Sequence, residues 1–242
     1  MTKKDQWDRA VAQGQFHLCY KFITKRDADE QAKYILDNFN QFEQIPKLSA
    51  RKSYCIESHK NDIADPPKQG VEEKWVAKNM VRARFSTPLF GELLEYEVPL
   101  ATPKRDDPEF AEKGKRLGDI DLLSKDGDVA TLLELKKFHC QEHPLRAFLE
   151  AFTYWKAVGG IDSSDFLNAS PAKGAKVLDK GVILYEESAT FQTLKTVADT
   201  MRDCIKRLSV KCYVVSRTDE SNDKCLSFGN VWEFDLDRWM VK

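Results

Sequence analysis

Arg116-Leu117-Gly118-Asp119-Ile120-Asp121-Leu122-Leu123, the Lys125-Asp126-Gly127-Asp128 turn, and Leu132-Leu133-Glu134-Leu135-Lys136-Lys137 are the stretch on which the reading of this chain depends. Asp-Gly between two runs rich in apolar residues is a hairpin signal. With Asp126-Gly127 as the two-residue turn, Asp121 faces Leu132, Asp119 faces Glu134 and Leu117 faces Lys136. Cross-strand partners share a sheet face, as do residues two apart along a strand. Asp119, Asp121, Glu134 and Lys136 therefore project from one face, and Ile120, Leu122, Leu133 and Leu135 from the other.

Like charges set opposite each other destabilise a sheet, so three carboxylates on one face call for compensation. A divalent cation supplies it: carboxylates, a backbone carbonyl such as that of Leu135, and waters make a hard oxygen site suited to Mg²⁺ or Mn²⁺. Lys136 lies on the same face, where it can orient or deprotonate a water or stabilise charge developing on a phosphorane. Metal-assisted attack on a phosphodiester needs these parts.

Working outward, Val71 to Phe85 reads as a helix, and Leu94 to Leu100 as a strand with Leu94, Tyr96 and Val98 on one face and Glu95 and Glu97 on the other. Pro144 opens a helix at its favoured first position, with Leu145, Phe148, Leu149, Phe152 and Trp155 as its apolar stripe. Gly181 to Tyr185 is a buried strand, Thr190 to Leu208 a long helix, and Lys211–Ser216 and Val231–Leu236 are closing strands. Before all this come a strand over Phe16–Ile23 and a helix over Asp27–Phe42. The polar run from Pro46 to Gly70, with Asp65-Pro66-Pro67, is the best boundary or long loop. The expected division is an N-terminal strand and helix extension over 1–70 and a core domain over 71–242. The expected class is α/β, bordering on α+β, with a mixed central sheet flanked by helices.

Composition narrows the function less than the hairpin does. The 242 residues carry 38 basic and 39 acidic side chains, a formal net charge of −1, which excludes gripping polyanions by bulk charge. No apolar run is long enough for a membrane helix, and no signal peptide is supported, so the expected compartment is the cytoplasm. Six scattered cysteines without a CxxC pair read as reduced, mostly buried thiols. His139-Cys140-Gln141-Glu142-His143 has zinc-ligand residue types, but no second pair stands at finger spacing and His143-Pro144 fits a plain helix start.

Asp121, twelve residues, then Glu134-Leu135-Lys136 resembles the signature of the PD-(D/E)xK nuclease superfamily, in its restriction-endonuclease-like and Holliday-junction-resolvase-like branches. The resemblance covers roughly Val71 to Tyr185; Ile120 stands where the proline of the motif's name would be. It implies a restriction-endonuclease-like core, Asp121 and Glu134 as ligands of Mg²⁺ or Mn²⁺, and Lys136 as catalytic lysine. It also implies a further acid from the first core helix, Glu73 first and Glu72, Glu95 and Glu97 behind it. A supporting polar residue is expected among Arg146, Glu150 and Tyr154, spaced i, i+4, i+8 on the polar face of the Pro144 helix. Asp119 is expected to support the site or face solvent. Lys104, Arg105, Lys113, Lys115 and Arg116, with Lys137, are candidates for contact with nucleic acid. The implied function is hydrolysis of DNA phosphodiesters. The alternative is a catalytically inactive module of the same fold that binds nucleic acid or protein, and a homodimer or protein partner stays open.

Overall fold

The computed structural model describes residues 1–48, 53–56, 59, 72–100, 117–217 and 228–241. The chain is mixed α/β. Its elements are helices α1 (Lys3–Ala12), α2 (Ala28–Asp37) and α3 (Phe39–Glu43), helix α4 (Glu72–Arg82), and strands β1 (Ser86–Thr87), β2 (Gly91–Pro99), β3 (Asp119–Asp126) and β4 (Val129–Leu135). There follow α5 (Pro144–Ala157), α6 (Ser164–Ala169), β5 (Val177–Tyr185), α7 (Ala189–Thr196), α8 (Asp199–Leu208), β6 (Lys211–Arg217), β7 (Phe228–Asp235) and β8 (Met240–Val241).

Two compact units divide the chain. The first holds 1–45, 134–153 and 180–242, and the second 46–133 and 154–179. This differs from the expected 1–70 and 71–242. A composition shift marks a polar loop, whereas packing decides which segments cohere. The first 45 residues pack with the C-terminal half: α2 lies against α8, and Arg207 covers the Phe39 ring at 4.7 Å.

In the first unit, β5 and β6 run parallel with Val182 beside Cys212 and Leu184 beside Val214, and β7 runs antiparallel to β6. A parallel pair needs a crossover, which α7 and α8 supply. The expected single helix over Thr190–Leu208 is broken at Val197 and Ala198, both extended. Ser188 caps α7 through its hydroxyl, which accepts from Phe191 N at 3.2 Å. The expected strand at Phe16–Ile23 is instead a 3-10 helix over Phe16–Phe22. A strand needs a partner for its polar groups; here local bonds serve, such as Leu18 N to Gln15 O at 2.9 Å. The expected helix over Asp27–Phe42 pauses at Asn38, whose side chain donates to Tyr34 O at 2.9 Å and closes α2.

In the second unit, β1, β2, β3 and β4 follow one another antiparallel, and α4 packs on β2 and β3. The hairpin register differs from the expected one. Leu123, not Asp121, faces Leu132, and Asp126 faces Val129, so the turn is Gly127-Asp128. Gly127 sits at φ +52°, the conformation that the first position of a tight hairpin turn requires. Asp128 O also accepts from Lys176 N at 2.7 Å and Val177 N at 3.1 Å, which anchors the turn. The correction is by two residues, so the parity survives: Ile120 and Leu122 are buried and Asp119 and Asp121 half-buried. In β2 a bulge places Leu93 against Ser124 and Glu95 against Leu123, leaving Leu94 as the extra residue. The expected alternation from Leu94 onward therefore fails: Leu93 and Glu95 are buried and Leu94 only half-buried.

Among the described residues, Cys19, Cys140, Cys204 and Cys212 are buried free thiols and Cys55 is an exposed one. Burial pushes Cys19 and Cys204 up to about 12 and raises Cys212 as well, so these thiols stay protonated and inert. No described helix is long and apolar enough to cross a membrane.

Candidate active site

In the first unit the candidate residues Glu134 and Lys136 lie at the end of β4. Lys136 N donates to Ile183 O at 3.0 Å, so the chain is still bonded as a strand beside β5 at that point. Alternation then sends Leu135 into the core and Glu134 and Lys136 to the other side. Lys136 Nζ donates to Glu134 Oε1 at 2.6 Å and to Glu150 Oε2 at 3.2 Å. All three residues are buried, at 5%, 5% and 7% exposure for Glu134, Lys136 and Glu150. Glu142 Oε2 lies 3.7 Å from the same ammonium, and Glu142 Oε1 pairs with Arg146 Nη1. Charge-assisted bonds of this kind are strong, and burial makes removal of either partner costly.

Of Arg146, Glu150 and Tyr154, Glu150 is the one shown to bond the Lys136 ammonium. It does not lie on a polar face, and neither does Tyr154: both are buried. The helix buries Ala147, Ala151 and Thr153 as well as Leu145, Phe148, Leu149 and Phe152 of its expected stripe, whereas Trp155 is only half-buried. Arg146 is half-buried and turns back to Glu142, four residues earlier. Glu142 was not anticipated as part of the cluster. Its signal is the i, i+4 spacing to Arg146, masked by the zinc-like string around it. His143 Nδ1 accepts from Leu145 N at 3.3 Å, in the first turn of the helix. Lys137 is half-buried, and its carbonyl accepts from Cys140 N at 2.9 Å.

In the second unit, β3 carries Asp119 and Asp121. Gly118, just before them, has φ +141°, and a Cβ there would stand 2.1 Å from Tyr154 Oη. Only glycine lets that hydroxyl so close to the main chain. Glu73 is half-buried on α4. The acids ranked behind it have other partners: Glu97 pairs with Lys74, and Glu95 Oε1 lies 2.8 Å from His59 Nδ1 and accepts from Tyr96 N at 3.1 Å. The His59 ring stacks on Tyr96 at 3.8 Å. His59 falls in the stretch read as a polar boundary, where one histidine gives no signal of a buried glutamate partner. Lys104, Arg105, Lys113, Lys115 and Arg116 lie outside the described residues.

Carboxylates and a main-chain carbonyl remain the donor types of a hard cation site. Among the described residues, however, no group of three or more His, Cys, Asp or Glu side chains is arranged to hold a metal. Lys136 already supplies a positive charge to Glu134, so a cation at that carboxylate has to compete with the ammonium.

The chain matches no protein-family model, no curated protein and no solved structure. Function here rests on the residues themselves.

Proposed function

We propose that the protein is a divalent-metal-dependent nuclease that hydrolyses DNA phosphodiester bonds. One observation carries the reading: the ammonium of Lys136, two residues past Glu134 at the end of β4, is held in a buried setting by Glu134 and Glu150 at 2.6 and 3.2 Å. A surface hairpin with incidental charges would leave that lysine solvated. In this reading Glu134 and the Leu135 carbonyl hold Mg²⁺ or Mn²⁺, and Asp121, Glu73 and Asp119 keep the roles that the resemblance implies for them, the first two as ligands and the last in support. The metal, when bound, acidifies a water and neutralises phosphate charge. Lys136 points its ammonium at the reacting phosphate or water, and Glu150 keeps it aimed there. Lys137 and the basic residues between 104 and 116 meet the nucleic acid backbone.

Incubation with Mg²⁺ or Mn²⁺ and linear, circular, single-stranded and branched DNA tests this. Cleavage is expected from the wild type and not from Glu134→Ala or Lys136→Ala. Absence of metal-dependent cleavage of every substrate refutes it. A second reading, a binding module without catalysis, is favoured by the absence of a three-ligand group among the described residues and by Lys136 engaging Glu134 directly. It predicts DNA or protein binding that metal does not alter.

A further inference from the structure

The ion pairs of the first unit hold an asymmetry that metal-assisted hydrolysis does not use. Glu142 splits its carboxylate between two cations: Oε1 takes Arg146 Nη1, and Oε2 lies 3.7 Å from Lys136 Nζ. It lies nearer solvent than Glu134 and Glu150, which also pair with Lys136: its side chain is 33% exposed against 5% for Glu134 and 10% for Glu150. Arg146 also keeps a donor in reserve: its Nε is buried and has no hydrogen-bond partner among the described residues.

We propose that Lys136 and Arg146 form a binding site for a phosphoryl group, and that Glu142 is its internal stand-in, displaced when a phosphate-bearing ligand arrives. The choice of ligand rests on the phosphodiester reading above and deepens it. A carboxylate bridging a lysine and an arginine occupies the position in which a phosphate would bridge them. The phosphate is the better fit, because a guanidinium can bind two of its oxygens through Nη and Nε together, whereas Glu142 engages Nη1. Half-exposed ion pairs are weak, so the stand-in is cheap to move. The displacement needs only side-chain rotation: the Glu142 carbonyl accepts from Thr190 Oγ1 at 2.9 Å, which holds the main chain in place.

Calorimetric titration with inorganic phosphate, without metal or DNA, tests the site. The wild type should bind weakly. Glu142→Gln, which keeps shape and removes the competing charge, should bind about fivefold more tightly. Adding Arg146→Gln to it should abolish that binding. Should the double variant fail to fold by circular dichroism, Glu142→Gln/Arg146→Lys replaces it, and loss of most of the gain is expected from the lost two-point contact. Equal or weaker phosphate affinity in Glu142→Gln, or binding indifferent to Arg146, overturns the proposal. Tightened phosphate binding without metal-dependent DNA cleavage upholds the anion site and removes the nuclease reading. Cleavage with unchanged phosphate affinity does the reverse.

Discussion

Replacing Lys136 with methionine isolates the buried ion cluster, because methionine keeps most of the aliphatic stem and deletes the ammonium. Glu134 and Glu150, 5% and 7% exposed, then lose a donor at 2.6 and 3.2 Å. Removing one member of a buried pair costs about 3–5 kcal/mol, since the remaining charge is left desolvated. Here two carboxylates lose the same cation, and Glu142 and Arg146 stay paired with each other at the rim, so the upper half of that range is expected. Out of a total stability of roughly 5–15 kcal/mol, this is a large share. Urea unfolding at pH 7 followed by circular dichroism reads the loss as a lower midpoint with an unchanged slope. Lys136→Met/Glu150→Gln should recover about 1–2 kcal/mol, because one of the two buried carboxylates that lost the ammonium has become a neutral amide. A loss below about 1 kcal/mol, the range of exposed pairs, would mean that the cluster is solvated and would refute the reasoning.

Burial holds the His143 imidazole down to about 4 from its ordinary 6.5, with Asp29 opposing the shift and Lys25 adding to it. The unfolded chain binds that proton first, so stability falls as pH drops from 6.5 to 4, by at most about 3 kcal/mol. His143→Asn keeps a capping side chain, and its stability-versus-pH curve should be flatter over that window; an unchanged slope would assign the dependence to other groups. Gly118→Ala drives a methyl onto Tyr154 Oη and should cost about 1–3 kcal/mol, with Tyr154→Phe recovering part of it. No recovery in the double variant would place the strain in the backbone alone. Mg²⁺ or Mn²⁺ should raise the Tm of the wild type, and Glu134→Ala should lose most of that rise; equal rises in both would exclude Glu134 as a ligand.

Periodicity and special residues were enough for much of this fold. Pro144 starts α5, the apolar run Gly181–Tyr185 is a buried strand, and the parity of β3 and β4 separates Ile120, Leu122, Leu133 and Leu135 from the acids. The two-residue error at the hairpin turn left that parity intact, because side chains alternate with period two. Where two local arrangements had similar merit, reading along the chain failed. Phe16–Phe22 has strand-like alternation yet curls into a 3-10 helix, and Leu94 looks like a core residue yet becomes the spare residue of a bulge.

The candidate site divides along the same line. Amino-acid order alone placed Glu134 and Lys136 on one side of a strand, because two residues of extended chain return a side chain to the same face. It also set Arg146, Glu150 and Tyr154 in register along a helix. Which of them meets Lys136 could not follow from order, since an ammonium finds its partners by packing between elements distant in the chain. Only the tertiary structure selected Glu150, buried it with Lys136, and brought Glu142 to bridge Lys136 and Arg146. The physical reason is desolvation: a charge taken out of water must find its opposite nearby, and the folded chain decides which one is within reach.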